Sequence, residues 1–136
     1  MHGTGKMTRS SVLWLPQGWF TSEVGLCPSL SAWRKLSKTD GLQLDDDGYH
    51  DGDGATHLID DNKGGKIILV TLNDRYYRRD RKTIDLATAL LVHESVHVWQ
   101  YMLEVAGERS RPREIEAHSI EWIFSELYIN YSRAIK

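Results

Sequence analysis

The sequence is poor in the features that mark several protein classes. It contains a single cysteine, Cys27, so no internal disulfide can form and nothing points to an oxidising compartment. No apolar run approaches the length of a membrane span, and the run from Val12 to Leu15 is cut by Pro16. Neither sign of charge dominates, because 17 basic and 19 acidic side chains leave a formal net charge of -2. We therefore expect no membrane and no nucleic acid among its partners, and by default a soluble cytoplasmic protein.

The composition is that of a globular domain, with 40% hydrophobic and 26% charged residues in a chain of 136. The pattern changes near Asp80. Residues 1–80 hold nearly all of the 11 glycines and several short β-like runs, whereas residues 81–136 have the pattern of two helices. The sequence thus predicts one domain over residues 1–136 with an α+β fold, in which a β-rich or irregular part precedes a two-helix part.

Within the first part, two strands and one short helix can be assigned. Thr56 to Asp60 and Lys66 to Leu72 have strand composition, and the Asn- and Gly-containing segment 61–65 between them is typical of a turn. Ser29 to Leu36 follows Pro28 and is predicted as a short helix. Ser11 to Val24, rich in Trp and Phe, indicates irregular structure or short strands.

The second part begins with a long helix. Thr83 or Asp85 can cap its start, and Gly107 is a natural residue for its end. Apolar residues occur on almost every side, so we expect the helix to be buried on most faces and its central polar residues to need partners. Pro112 suits the first turn of a second helix that runs to about Tyr131.

The middle of the long helix carries the motif His93-Glu94-Ser95-Val96-His97. Residues four apart share a helix face, so both imidazoles can bind one tetrahedral Zn²⁺, and Glu94 can accept the proton of a water that the metal activates. With six His and eight Glu in the chain, the chance of this spacing arising somewhere is about 0.015. The motif predicts His93 and His97 as ligands of one zinc ion and Glu94 as the general base of a metallohydrolase.

A catalytic zinc site needs a third protein ligand. Gln100 and Leu103 stand where the metzincin subclass has Gly and His, which excludes that subclass. The segment 114–118 resembles the gluzincin pattern, in which a ligand Glu is followed by a small residue three positions later and a polar one at the fourth. The resemblance implies Glu114 as the ligand and His118 as the polar partner, although many such families have Asp there.

Glu116 is the alternative third ligand. Its helical phase lies near the apolar stripe of the second helix, where a buried carboxylate favours a cation. His118 as a third nitrogen ligand is a further option. Gln100, one turn after His97, could hydrogen-bond a ligand residue or the substrate.

Residues 56–130 resemble a group of small zincin-like proteins of tailed bacteriophages and prophages. The resemblance rests on Ala89 to Gln100, on Gly107-Glu108, on Pro112 to Ile120 and on the strand Ile67 to Val70. It implies a minimal zincin-like fold, a phage or prophage source, and a location in the bacterial cytoplasm or the virion. In zincins the strand before the metal helix pairs with extended substrate, and Ile67 to Leu72 would be that strand.

The leading expectation is therefore a zinc-dependent peptidase or amidase with a peptide or protein substrate. One alternative is a non-catalytic phage structural protein in which zinc only joins two helices. Another is an inhibitor that binds a host protein through the aromatic N-terminal segment.

Overall fold

The computed structural model describes residues 10–16, 22–39, 41–49, 52–109 and 111–135. These ranges mix helices with a small four-stranded sheet, as the α+β prediction requires. The elements in chain order are β1 (Leu13–Trp14), β2 (Glu23–Cys27), α1 (Leu30–Thr39), α2 (Asp46–Tyr49), β3 (Gly54–Asp60), β4 (Lys66–Leu72), α3 (Arg81–Ala106) and α4 (Arg113–Ala134). A single 3₁₀ turn, Asp74–Tyr76, follows β4.

The sheet has the order β1-β2-β4-β3. Strands β2 and β4 are parallel, and the two outer strands are antiparallel to their neighbours. The predicted β3–β4 hairpin is confirmed, with Asn62 in its turn in the left-handed region at φ 64°. The expectation that Ile67 to Leu72 pairs with substrate is wrong, because β4 is hydrogen-bonded on both sides and β3 occupies the edge of the described sheet.

Strand β2 is the main element that the sequence prediction missed. The segment Ser11 to Val24 was expected to be irregular or to form short strands, and residues 17–21 of it lie outside the described residues. β2 begins within this segment and continues to Cys27. Its central Gly25 allows β1 to approach closely, since a Cβ there would lie 2.8 Å from Cε3 of Trp14, the β1 residue paired with it.

The sheet is covered by helices on both faces. Ile68, Val70 and Leu72 of β4 belong to the core shared with α3 and α4. Ile67 and Leu69 point the other way, into a second core with α1. A strand buried on both faces must be apolar throughout, which explains the continuous hydrophobic run of β4.

Helix α3 begins at Arg81, two to four residues before the predicted start. Asp80 caps it instead of Thr83 or Asp85, because its carboxylate accepts a hydrogen bond from the Thr83 backbone N–H at 3.0 Å. The predicted end is confirmed, with Gly107 at φ 72° and its N–H bonded to the Glu104 carbonyl.

Helix α4 starts directly after Pro112 and runs to Ala134, slightly beyond the predicted end near Tyr131. It packs against α3 as the second half of a helical hairpin. Over the described residues, no helix combines the length and the apolar character that crossing a membrane requires.

Candidate metal centre

The two imidazoles of the motif lie side by side on one face of α3. His93 Nε2 is 3.1 Å from His97 Nε2, and the ring centroids are 4.8 Å apart at an interplanar angle of 75°. Two nitrogens bound to one tetrahedral zinc at 2.0–2.1 Å would be about 3.3 Å apart. The pair therefore already has nearly the separation that a shared metal ion requires.

Gln100 orients the second imidazole. Its Oε1 lies 2.9 Å from His97 Nδ1, so a proton on Nδ1 makes a hydrogen bond to the amide oxygen. That tautomer leaves a lone pair on His97 Nε2, the atom that faces His93. This contact is compatible with the first of the two roles considered for Gln100 from the sequence, a hydrogen bond to a ligand residue.

Helix α3 is less buried than the sequence suggested. The face that carries the imidazoles is open to solvent, with His93 exposed and His97 half-buried. Leu86, Val92 and Val96 are also exposed, at 51%, 49% and 37%. The apolar residues seen on nearly every side of this helix are thus split between the core and an exposed strip beside the histidines.

Glu94 lies in a different environment from its two neighbours in the motif. It is only 4% exposed, and its Oε1 accepts a hydrogen bond from Thr56 Oγ1 of β3 at 2.7 Å. The hydroxyl supplies a partner for a buried carboxylate, which the sequence analysis required but could not identify. Glu94 therefore sits at the seam between α3 and the edge strand, one residue round the helix from His93.

The structure does not bring Glu114 to the imidazole pair. The Glu114 side chain is 88% exposed and lies 3.5 Å from His118 Nε2, itself 74% exposed. His118 also approaches Glu121 at 3.6 Å. Glu114, His118 and Glu121 face away from α3, because they lie on the opposite side of α4 from its buried face. That buried face includes Ser119, Ile123 and Leu127.

Glu116 does face α3, but it contacts an indole instead of the imidazoles. Its Oε2 accepts a hydrogen bond from Trp99 Nε1 at 2.7 Å. Trp99 is two residues beyond His97 and therefore on nearly the opposite side of the helix. The half-buried carboxylate thus has a neutral donor where the sequence analysis considered a cation.

In the conformation described, the candidate centre has two ligand side chains. Among the described residues, no group of three or more His, Cys, Asp or Glu side chains lies close enough to hold one metal ion. Two imidazoles are nevertheless donors that suit zinc. A third protein ligand would have to reach them by a change of conformation.

Cys27 is not a competing nucleophile. It is fully buried in the core on the α1 side, and burial raises the pKa of its thiol to about 12. Since the thiolate is the reactive form, a thiol with this pKa is inert near neutrality. Cys27 therefore packs as a small buried hydrophobic residue.

Comparison with family models, with curated proteins and with solved structures gives no match for this chain. The main indication of its function is the set of residues His93, Glu94 and His97.

Proposed function

We propose that this protein is a zinc-dependent hydrolase of the zincin type that cleaves a peptide bond. The observation that carries the proposal is the 3.1 Å separation of His93 Nε2 and His97 Nε2, with the buried carboxylate of Glu94 next to His93 in the chain. Imidazole nitrogens are preferred zinc ligands, and the chance that two histidines at this spacing are accompanied by a glutamate at the position of Glu94 is only about 0.015.

His93 and His97 would hold the metal, and Glu114 is the third ligand that we propose. Glu114 points away from the imidazoles in the present conformation, so its use as a ligand requires the first turn of α4 to rearrange when metal binds. Glu116 remains the alternative ligand and would have to leave the Trp99 indole. With either carboxylate as the ligand, metal binding would disturb the hydrogen bond between Glu116 and the Trp99 indole.

When bound, zinc supplies Lewis acidity, which makes water a usable nucleophile near neutral pH. Glu94 would accept the proton that this water loses and pass it to the leaving nitrogen. Gln100 would keep His97 in the tautomer that presents Nε2. These roles together define a hydrolase that splits an amide by attack of water.

A peptide substrate is supported by the edge of the sheet beside Glu94. Strand β3 pairs with β4 on one side, and its other side is the edge of the sheet in the described part of the chain. An exposed strand edge can pair with an extended peptide through backbone hydrogen bonds. Thr56 of this strand contacts Glu94, so a peptide bound along β3 would lie next to the proposed base.

A non-catalytic, zinc-stabilised protein of a phage particle is the second candidate. The contact between Thr56 and Glu94 also joins α3 to the sheet, and such a contact would persist in a protein without activity. In that case zinc would stabilise the helix without any turnover. The two candidates differ in whether Glu94 is needed for hydrolysis.

The test compares the purified full chain with the Glu94→Gln variant. We expect about one zinc per molecule in both, and zinc-dependent cleavage of labelled casein or of a mixed octapeptide library only in the wild type. His93→Ala is the matched control that should lose zinc and cleavage together. Zinc binding without cleavage in any sample would favour the structural role, and absence of zinc uptake by the wild type would overturn both candidates.

A further inference from the structure

Thr56 is the residue of the edge strand that contacts the proposed base. Its Oγ1 lies 2.7 Å from Glu94 Oε1, well inside hydrogen-bonding distance. A carboxylate oxygen can only accept, so the hydroxyl donates this bond. The same Oγ1 is 3.4 Å from the Glu94 backbone carbonyl, which keeps Thr56 close to this one helix position.

The backbone of Thr56 is held by the sheet. It is paired with Val70 of β4, which has 0% exposure and lies between two neighbouring strands. Residues opposite each other in an antiparallel pair share a face, so Thr56 points to the same side as Val70, towards α3. The hydroxyl is therefore presented to Glu94 from a strand whose backbone is paired with β4.

Glu94 has little freedom of its own, since it is 4% exposed at the helix–sheet seam. A carboxylate held through Oε1 keeps Oε2 available for a proton. A general base must lie within hydrogen-bond reach of the proton that it takes, and small misplacements of a catalytic group reduce rates steeply. An anchored Oε1 fixes where Oε2 can lie.

We infer that Thr56 is a positioning residue, which holds the carboxylate of Glu94 in the orientation required for proton transfer. The inference rests on the proposed hydrolase function. It assigns Thr56 no contact with the metal or with the reacting atoms. The edge strand would thus act in two ways, by binding extended substrate along its backbone and by orienting the base through one side chain.

The test uses zinc-loaded full chain and cleavage of the octapeptide library. Thr56→Val keeps the shape of the side chain and removes the donor, so kcat should fall roughly 10- to 100-fold with KM and zinc content nearly unchanged. Thr56→Ser restores the hydroxyl and should recover most of the lost kcat. Thr71→Val is the matched control, because Thr71 is a buried threonine of the adjacent strand whose hydroxyl contacts His57 on the other face of the sheet.

The outcomes separate this inference from the function on which it rests. A kcat of Thr56→Val equal to that of Thr71→Val, in an active wild type, would overturn the positioning role and leave the hydrolase intact. A loss of kcat that Thr56→Ser does not restore would also overturn it, since the side-chain volume and not the hydroxyl would then matter. An inactive wild type that binds zinc would overturn the hydrolase and, with it, the role of Thr56.

Discussion

Trp99 Nε1 donates a hydrogen bond of 2.7 Å to Glu116 Oε2, and this bond joins the helix that carries the histidines to the helix that follows it. Trp99 is 2% exposed, so its N–H has no ready access to water. The bond gives Glu116 a structural role in the present conformation. The two carboxylates considered as third ligand thus have different environments, because Glu114 is largely exposed and lies next to His118 of the same helix.

Glu116→Ala should lower the free energy of unfolding by about 1–3 kcal/mol, because a buried indole N–H would lose its acceptor. Glu114→Ala should change it little, since the Glu114 side chain is 88% exposed. Urea unfolding of the metal-free protein measures both, and Glu116→Gln, which retains an acceptor oxygen, is the control. A larger loss for Glu114→Ala than for Glu116→Ala would contradict this division of roles.

Metal removal should destabilise the protein. A ligand that binds only the folded state adds about 2.7 kcal/mol at a free concentration one hundred times its Kd. Zinc should therefore raise the thermal midpoint of the wild type, and EDTA should reverse the rise. His93→Ala should show no rise, whereas His57→Ala, which removes an imidazole from the opposite face of the sheet, should keep it. Equal midpoints with zinc and with EDTA in the wild type would refute metal binding by this pair.

Local sequence signals predicted the helical hairpin and the β3–β4 hairpin well. Their boundaries depend on short-range chemistry, such as the left-handed Gly107 after α3 and the turn residue Asn62 between the strands. Strand β2 was missed because its pairing with β4 is parallel and distant in sequence. The start of α3 was misassigned because three residues near it can serve as caps, and only the fold selects Asp80.

The site was predictable only in part for a similar reason. Spacing along one helix brings His93 and His97 together, so the pair follows from helical periodicity alone. The partner of Glu94 comes from Thr56, 38 residues earlier, and no local pattern distinguishes it. The outward direction of Glu114 depends on the rotation of α4 against α3, which the first turn of α4 does not encode by itself.

The N-terminal cap of α3 should make the free energy of unfolding depend on pH. Hydrogen bonds from the Thr83 side chain and backbone hold the pKa of Asp80 below its usual value. A carboxyl group with a lower pKa in the folded state stabilises the fold above its unfolded-state pKa, and this contribution is lost as pH falls through the folded-state pKa. Asp80→Ala should thus lower the thermal midpoint at pH 7, by an amount that shrinks below about pH 4. Asp80→Asn can cap the helix but cannot titrate in this pH range, so the difference between its thermal midpoint and that of Asp80→Ala should not depend on pH. A difference between the wild type and Asp80→Ala that widens in acid would contradict the assignment.

Zinc binding should change the environment of the Trp99 indole if a carboxylate of α4 completes the site. Glu114 can reach the imidazoles only if the first turn of α4 rearranges, and Glu116, two residues further on, is bonded to the Trp99 indole. Zinc should therefore change the tryptophan fluorescence of the wild type. Trp99→Phe should abolish that change while zinc still binds, which assigns the signal to Trp99 among the five tryptophans.

The same titration distinguishes the two carboxylates. If Glu114 is the ligand, Glu114→Ala should weaken zinc binding strongly and remove the fluorescence change, because loss of a metal ligand costs more than loss of a neighbour. Glu116→Ala would then bind zinc nearly as well as the wild type. If Glu116→Ala instead loses zinc and Glu114→Ala keeps it, the ligand is the residue that leaves Trp99. Zinc binding that survives each of these substitutions would mean that neither Glu114 nor Glu116 is a required ligand, and the gluzincin interpretation of residues 114–118 would be wrong.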